Sequence, residues 1–177
     1  MLKTKNVIIT SIVLVAVLIV TCIANHVNNK AQPAMINSAG YPSIIIDAGH
    51  GGFDDGAVAN GIIEKDINLA ISLNLRDMLT SSGFKVIMIR EEDISVHDPA
   101  ANTTRTKKNT DLNNRLKVIN ENEDALFVSI HQNMYTESKY SGAQVFYSPN
   151  NENSKALAQI LQDTIKGQLQ NDNNRQI

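Results

Sequence analysis

Three side chains in this sequence have the types and the placing for metal chemistry: His50, Glu64 and His131. His50 comes three residues after a β-branched run, Ser43-Ile44-Ile45-Ile46-Asp47, and His131 directly follows a second apolar run over residues 125–130. Glu64 opens a helical pattern straight after a glycine-rich loop. If the two runs are parallel strands, both imidazoles leave the sheet at one edge, and a helix start that follows a strand lies at that same edge. Two neutral imidazoles and a carboxylate make a ligand set suited to catalytic zinc, with a fourth position left to water. Zinc brings the pKa of bound water toward about 7 and polarises a carbonyl. Asp47 and Asn133, adjacent to the ligands in sequence, are expected to orient them.

Each feature taken singly has a plainer reading. A histidine after a strand is usually structural, and a glutamate in a first helical turn is favoured by the helix dipole. His50-Gly51-Gly52 could serve as an esterase oxyanion loop, but the chain has no G-x-S-x-G elbow. Walker A and G-x-G-x-x-G loops are absent too. Asp54-Asp55 lacks the spacing of an EF-hand and reads as a solvated loop.

The elements that must position these groups follow from pattern. The chain has 177 residues, 42% hydrophobic and 19% charged, with a net charge of −2. That length suits one domain, without a visible repeat, and there is no Lys/Arg block for a nucleic-acid backbone. Residues 1–24 hold Lys3 and Lys5 and no acid, ahead of a long apolar stretch over residues 7–24. This reads as a secretory signal or, at about 27 Å if helical, as a retained membrane anchor. Either way the remainder is exported. Cys22, the lone cysteine, lies within it, so no intramolecular disulfide forms and no thiolate closes a metal site. Residues 25–42 read as a linker and 43–177 as the functional domain.

Strands are expected at 43–47, 84–90, 125–130 and 142–147. A helix over 63–79 carries a stripe of Ile63, Ile67, Ala70, Ile71, Asn74, Leu75 and Met78. Residues 91–109 read as a surface excursion. Thr110 is the expected cap of a helix presenting Leu112, Leu116 and Ile119, and a last helix over 153–169 presents Ala156, Leu157, Ile160, Leu161 and Ile165. Alternating strands and helices predict an α/β layered fold around a largely parallel or mixed sheet.

Ile45-Ile46-Asp47-Ala48-Gly49-His50-Gly51-Gly52, Gly61-Ile62-Ile63-Glu64-Lys65-Asp66-Ile67-Asn68-Leu69 and Phe127-Val128-Ser129-Ile130-His131-Gln132-Asn133 together resemble the zinc-dependent N-acetylmuramoyl-L-alanine amidases of the third amidase family. Val86-Ile87-Met88-Ile89-Arg90, Asp111-Leu112-Asn113-Asn114-Arg115 and Gly142-Ala143-Gln144-Val145-Phe146-Tyr147 match in order, so the resemblance runs from 43 to about 169. A short domain behind an export segment, with no wall-binding repeats, looks most like the germination-specific members of endospore formers. The resemblance implies zinc on His50, Glu64 and His131. It implies peptidoglycan as substrate, cut between muramic acid and L-alanine during cortex maturation in the spore envelope. A protein that stabilises the metal site is a further partner to test, and membrane contact would run through the N-terminal segment.

The family also carries a catalytic glutamate in a Val-Glu-Cys-Gly-Phe-like motif on a late strand, and nothing before Ile177 matches it. The base is therefore expected beyond Ile177, with the last strand or strands, and turnover by the chain as given is expected to be impaired. Glu137 and Glu152 follow His131 without a pattern that brings either to the metal. The alternative to an amidase is a zinc-binding wall or partner module without catalysis. Arg90, Arg115 and His97 are ambiguous at this level, Arg115 reading as an ion-pair residue and His97 as part of the exposed excursion.

Overall fold

The computed structural model describes residues 41–134 and 141–177. The expected signal or anchor, most of the linker and Glu137 lie outside them. The chain divides after Gln132 into two compact units.

In the first unit β1 (Ile44–Ala48) is buried along its whole length. An unbroken β-branched run forms such a strand because both faces must be covered. It is the middle of a three-stranded parallel sheet, β4-β1-β5, between β4 (Val86–Met88) and β5 (Leu126–Ile130). The register pairs Ile44 with Leu126 and Ala48 with Ile130. The α/β class and the parallel sheet are as expected.

The glycine-rich stretch expected to be all loop contains a hairpin, β2 (Val58–Ala59) with β3 (Ile62–Ile63). Asn60 and Gly61 turn it with φ of 52° and 77°. Two positive φ values at an Asn-Gly pair are what a tight hairpin on right-twisted strands requires. The hairpin hands the chain directly to α1 (Glu64–Ser81).

Helix α1 packs on the sheet, but not through the expected apolar stripe. Its buried residues are Glu64, Lys65, Asn68 and Ser72, whereas Ala70, Ile71, Asn74 and Met78 are exposed. Periodicity of hydrophobicity misses this face because its polar groups are satisfied by loop backbone, Asn68 Nδ2 donating to Gly49 O at 3.2 Å and Lys65 Nζ to Gly52 O at 2.7 Å.

Helix α2 (Thr104–Asn120) begins six residues before Thr110. Thr103 is the cap: its Oγ1 accepts from Thr106 N at 3.1 Å, and Thr106 Oγ1 accepts in return from Thr103 N at 3.0 Å. This reciprocal box satisfies two otherwise orphaned donors, so part of the expected excursion is helical. Thr110 lies inside the helix, its hydroxyl donating to Thr106 O at 3.0 Å. The expected inward stripe is open instead: Leu112 and Leu116 are 67% and 51% exposed, while Arg115 is buried.

The second unit contains α3 (Glu152–Gln168), capped by Asn151. Its buried positions are Ala158 and Gln162, not Ile160 or Leu161. Residues 142–147, expected as a strand, form none. Their backbone is taken by amide side chains, Gln170 Oε1 accepting from Ala143 N at 2.8 Å and Gln162 Oε1 from Val145 N at 2.9 Å, where a strand would use a ladder.

Because Thr103 is the cap, Thr103→Ala should cost about 1 kcal/mol. In urea unfolding the midpoint should fall at unchanged slope. An unaltered midpoint would contradict the assigned helix start.

Candidate metal centre

The β1–β5 pairing continues past the end of β1, with Gly49 N donating to Ile130 O at 3.0 Å. The next residue on each chain is a histidine, and the two rings meet edge to face at 4.8 Å between centroids. Any side chain at 49 would have to displace the His131 ring: a Cβ there would lie 2.3 Å from His131 Cε1 and Nε2.

His50 turns sharply out of β1 with φ of 63°, uncommon for a residue with a side chain. Its carbonyl is held by Arg115 Nη2 at 2.9 Å. On the ring, Nδ1 meets Asp54 Oδ2 at 3.0 Å and Nε2 faces Glu64 Oε1 at 3.2 Å. His131 presents Nδ1 to the same Glu64 oxygen at 3.0 Å, and its side chain is 49% exposed.

Glu64 is buried at the junction of β3 and α1. Oε2 accepts from Ala57 N at 2.8 Å, and Oε1 from Gln132 N at 2.9 Å and Asn68 Nδ2 at 3.4 Å. Burial pushes this carboxyl up, but the Ala57 and Gln132 amides, then Asn68 and His131, outweigh it and hold the pKa at about 2. It therefore stays an anion, as a ligand must.

Ligand atoms of His50, Glu64 and His131 all lie within 4.8 Å of one another. Two imidazole nitrogens and one charged oxygen, with no thiolate among the described residues, can hold a divalent cation and suit a borderline one. The glycine cradle supports that fit, since a Cβ on Gly56 would come within 2.6 Å of both Glu64 Oε2 and His50 Cδ2. The group opens on a cleft of about 620 Å³ whose other wall carries Leu112, Leu116, Ile119 and Phe127.

The residues expected to orient the ligands are placed differently. Asp47 is buried and bonds to Arg115 Nη1 and to Ser129 Oγ, the latter at 2.8 Å, so it reaches His50 only through Arg115. Asn133 is exposed and belongs to the second unit. The groups touching the ligand side chains are Asp54, Asn68 and the Ala57 and Gln132 amides, none singled out by sequence as a partner of the ligands. Asn68 could have been found, since it stands four residues after Glu64 on the same helical face. Arg90, buried, donates to Ala48 O at 2.7 Å, to Gly49 O at 3.0 Å and to Lys65 O at 2.9 Å, tying the strand end to the helix start. Asp111 accepts from Arg115 Nε at 2.6 Å and Ser95 Oγ at 2.7 Å. His97 is half-buried rather than exposed, its Nδ1 2.8 Å from Ser95 Oγ.

Two outcomes follow from this packing. Gly49→Ala should displace the His131 ring and abolish tight metal retention, read by metal content after gel filtration; retention equal to the unaltered chain would contradict the cradle. Because the Glu64 carboxyl titrates below its ordinary 4.5, its stabilising contribution is complete above that value and is lost as pH falls toward about 2. The stability gap between the metal-free chain and Glu64→Gln should thus narrow on acidification from about pH 6 to about pH 3. A gap that is constant or widens would contradict the assigned hydrogen bonds.

Comparison with known proteins shows the family. The Amidase_3 family, N-acetylmuramoyl-L-alanine amidase, matches residues 44–177. The germination-specific N-acetylmuramoyl-L-alanine amidase of Bacillus subtilis (strain 168) is 38% identical over 128 residues, covering 72% of this chain and 54% of that protein. The N-acetylmuramoyl-L-alanine amidase AmiA of Escherichia coli (strain K12) is 31% identical over 137 residues, covering 77% of this chain and 43% of that protein. The CwlD amidase from Clostridioides difficile, solved in complex with the GerS lipoprotein, superposes with a TM-score of 0.73 at 45% identity, covering 76% of this chain and 70% of that one. The chain spans about half the length of the curated relatives it matches.

Proposed function

We propose that this chain, which belongs to the family of N-acetylmuramoyl-L-alanine amidases, serves to hydrolyse peptidoglycan at the amide between the lactyl group of N-acetylmuramic acid and L-alanine, with zinc held by His50, Glu64 and His131. The observation that carries the proposal is the convergence of those three ligand atoms within 4.8 Å beside an open cleft that His50 and His131 line. When bound, zinc supplies a Lewis acid for the amide carbonyl and an acidified water.

The chain's own residues supply the rest. Glu64, kept anionic by the Ala57 and Gln132 amides, contributes fixed negative charge beside the two imidazole rings. The exposed Leu112, Leu116 and Phe127 give the cleft a wall for the apolar parts of a stem peptide. Arg115 and Arg90 fix the backbone around His50, so little reorganisation is needed when substrate arrives.

One observation favours the second reading, a metal-binding wall module with little turnover. The carboxylates lining the cleft are already engaged: Asp47 with Arg115, Asp54 with His50 and Lys108, Asp111 with Arg115. Among the described residues of the cleft none is placed as a proton acceptor for water and donor to the departing amine. We therefore expect slow turnover by the 177-residue chain.

The germination-specific relative and CwlD support a place in spore cortex maturation, outside the cytoplasm, and the GerS complex of CwlD supports a protein partner for this chain. Among the described residues no helix is long and apolar enough to cross a membrane. The expected N-terminal signal or anchor lies outside those residues.

Zinc content and muropeptide analysis test the proposal together. The purified chain should retain about one equivalent of zinc, His50→Ala or His131→Ala should lose it, and cortex peptidoglycan should release stem peptides slowly and only without chelator. Zinc without any product would establish the binding module. Absence of zinc from the unaltered chain would overturn both readings.

A further inference from the structure

The loop after β1 carries an acid, Asp54, that lines the cleft without being one of the three ligands. Asp54 Oδ2 lies 3.0 Å from His50 Nδ1, the nitrogen turned away from Glu64. A carboxylate can only accept, so Asp54 takes an Nδ1 proton, and Nε2, which faces the Glu64 carboxylate at 3.2 Å, is the nitrogen left to bind a metal. Asp54 is itself pinned twice. Its backbone exchanges two hydrogen bonds with Gly51, Gly51 N to Asp54 O at 3.0 Å and Asp54 N to Gly51 O at 3.1 Å. Its other oxygen pairs with Lys108 Nζ from α2 at 3.0 Å. Moving the loop outward would break these contacts.

The geometry points to Asp54 as the positioning residue that fixes the tautomer and ring orientation of His50 for metal binding. The inference rests on the zinc reading above and deepens it. His50 needs such support more than most ligands, because its left-handed backbone leaves the ring direction to be set by what holds the residue at both ends. Arg115 holds the carbonyl and Asp54 the ring. Ligand histidines commonly donate their second N–H to a carboxylate, and removal of that partner typically weakens metal binding by about 10–100-fold.

The test uses the full chain and zinc itself, competed against a chromophoric chelator. Asp54→Asn, which keeps shape and loses charge, should weaken zinc binding by about 10–100-fold, and Asp54→Glu should recover part of the loss. In the zinc-loaded chain the His50 Nδ1 proton should give a downfield NMR resonance that moves or vanishes in Asp54→Asn, a change that mere loosening of the loop would not confine to His50. If Asp54→Asn binds zinc as tightly as the unaltered chain while His50→Ala does not, the positioning role is overturned and the metal site stands. If the unaltered chain itself holds no zinc, the metal reading fails and the inference with it.

Discussion

Everything at the candidate centre depends on one pairing of backbones. β1 and β5 run parallel in a register that sets Ala48 beside Ile130, and the bond from Gly49 N to Ile130 O carries the pairing one residue past β1. Two histidines 81 positions apart in sequence are thereby delivered to the same sheet edge, each as the first or second residue after its strand. A shift of the register by one residue would send the strand side chains to opposite faces and separate the rings. Asp47 opposes such a slip, because a one-residue shift would take its carboxylate away from Arg115 and Ser129.

Around that pairing the molecule buries charge rather than hydrocarbon. Asp47, Glu64, Lys65, Arg90 and Arg115 are all buried in the first unit. Such groups are costly unless every hydrogen-bonding position is met. Arg90 meets the requirement with backbone carbonyls instead of an acid, and burial followed by the neighbouring Arg115 pushes its pKa down. Arg115 bridges Asp47 and Asp111 and still reaches His50 O. Geometry is thus fixed at the strand ends by directional bonds, which non-directional apolar packing alone would not provide.

The sequence disclosed the centre better than its surroundings. His50, Glu64 and His131 were legible as candidate ligands because strand patterns placed each at a strand end or helix start, and parallel topology does the rest. The strand containing Ile44, Ile45 and Ile46 was legible for the same reason: an unbroken apolar run admits few alternatives. Helix faces were not. The buried side of α1 is Glu64, Lys65, Asn68 and Ser72, and apolar periodicity cannot register polar residues whose partners come from loops distant in sequence. The Asn60-Gly61 turn and the Thr103/Thr106 box were present as local signals but were overridden by the density of glycines and by a better-looking apolar stripe after Thr110. Asp54 was invisible for a third reason. Its role exists only once the His50 backbone turns left-handed, and no spacing rule announces that turn.

X-ray absorption at the zinc edge of the loaded chain tests the central claim most directly. The account predicts a shell with two imidazole nitrogens and one carboxylate oxygen at about 2.0–2.2 Å, with the imidazole scattering halved in His131→Ala. A shell of oxygens with no imidazole signature, or one unchanged by loss of His131, would contradict it.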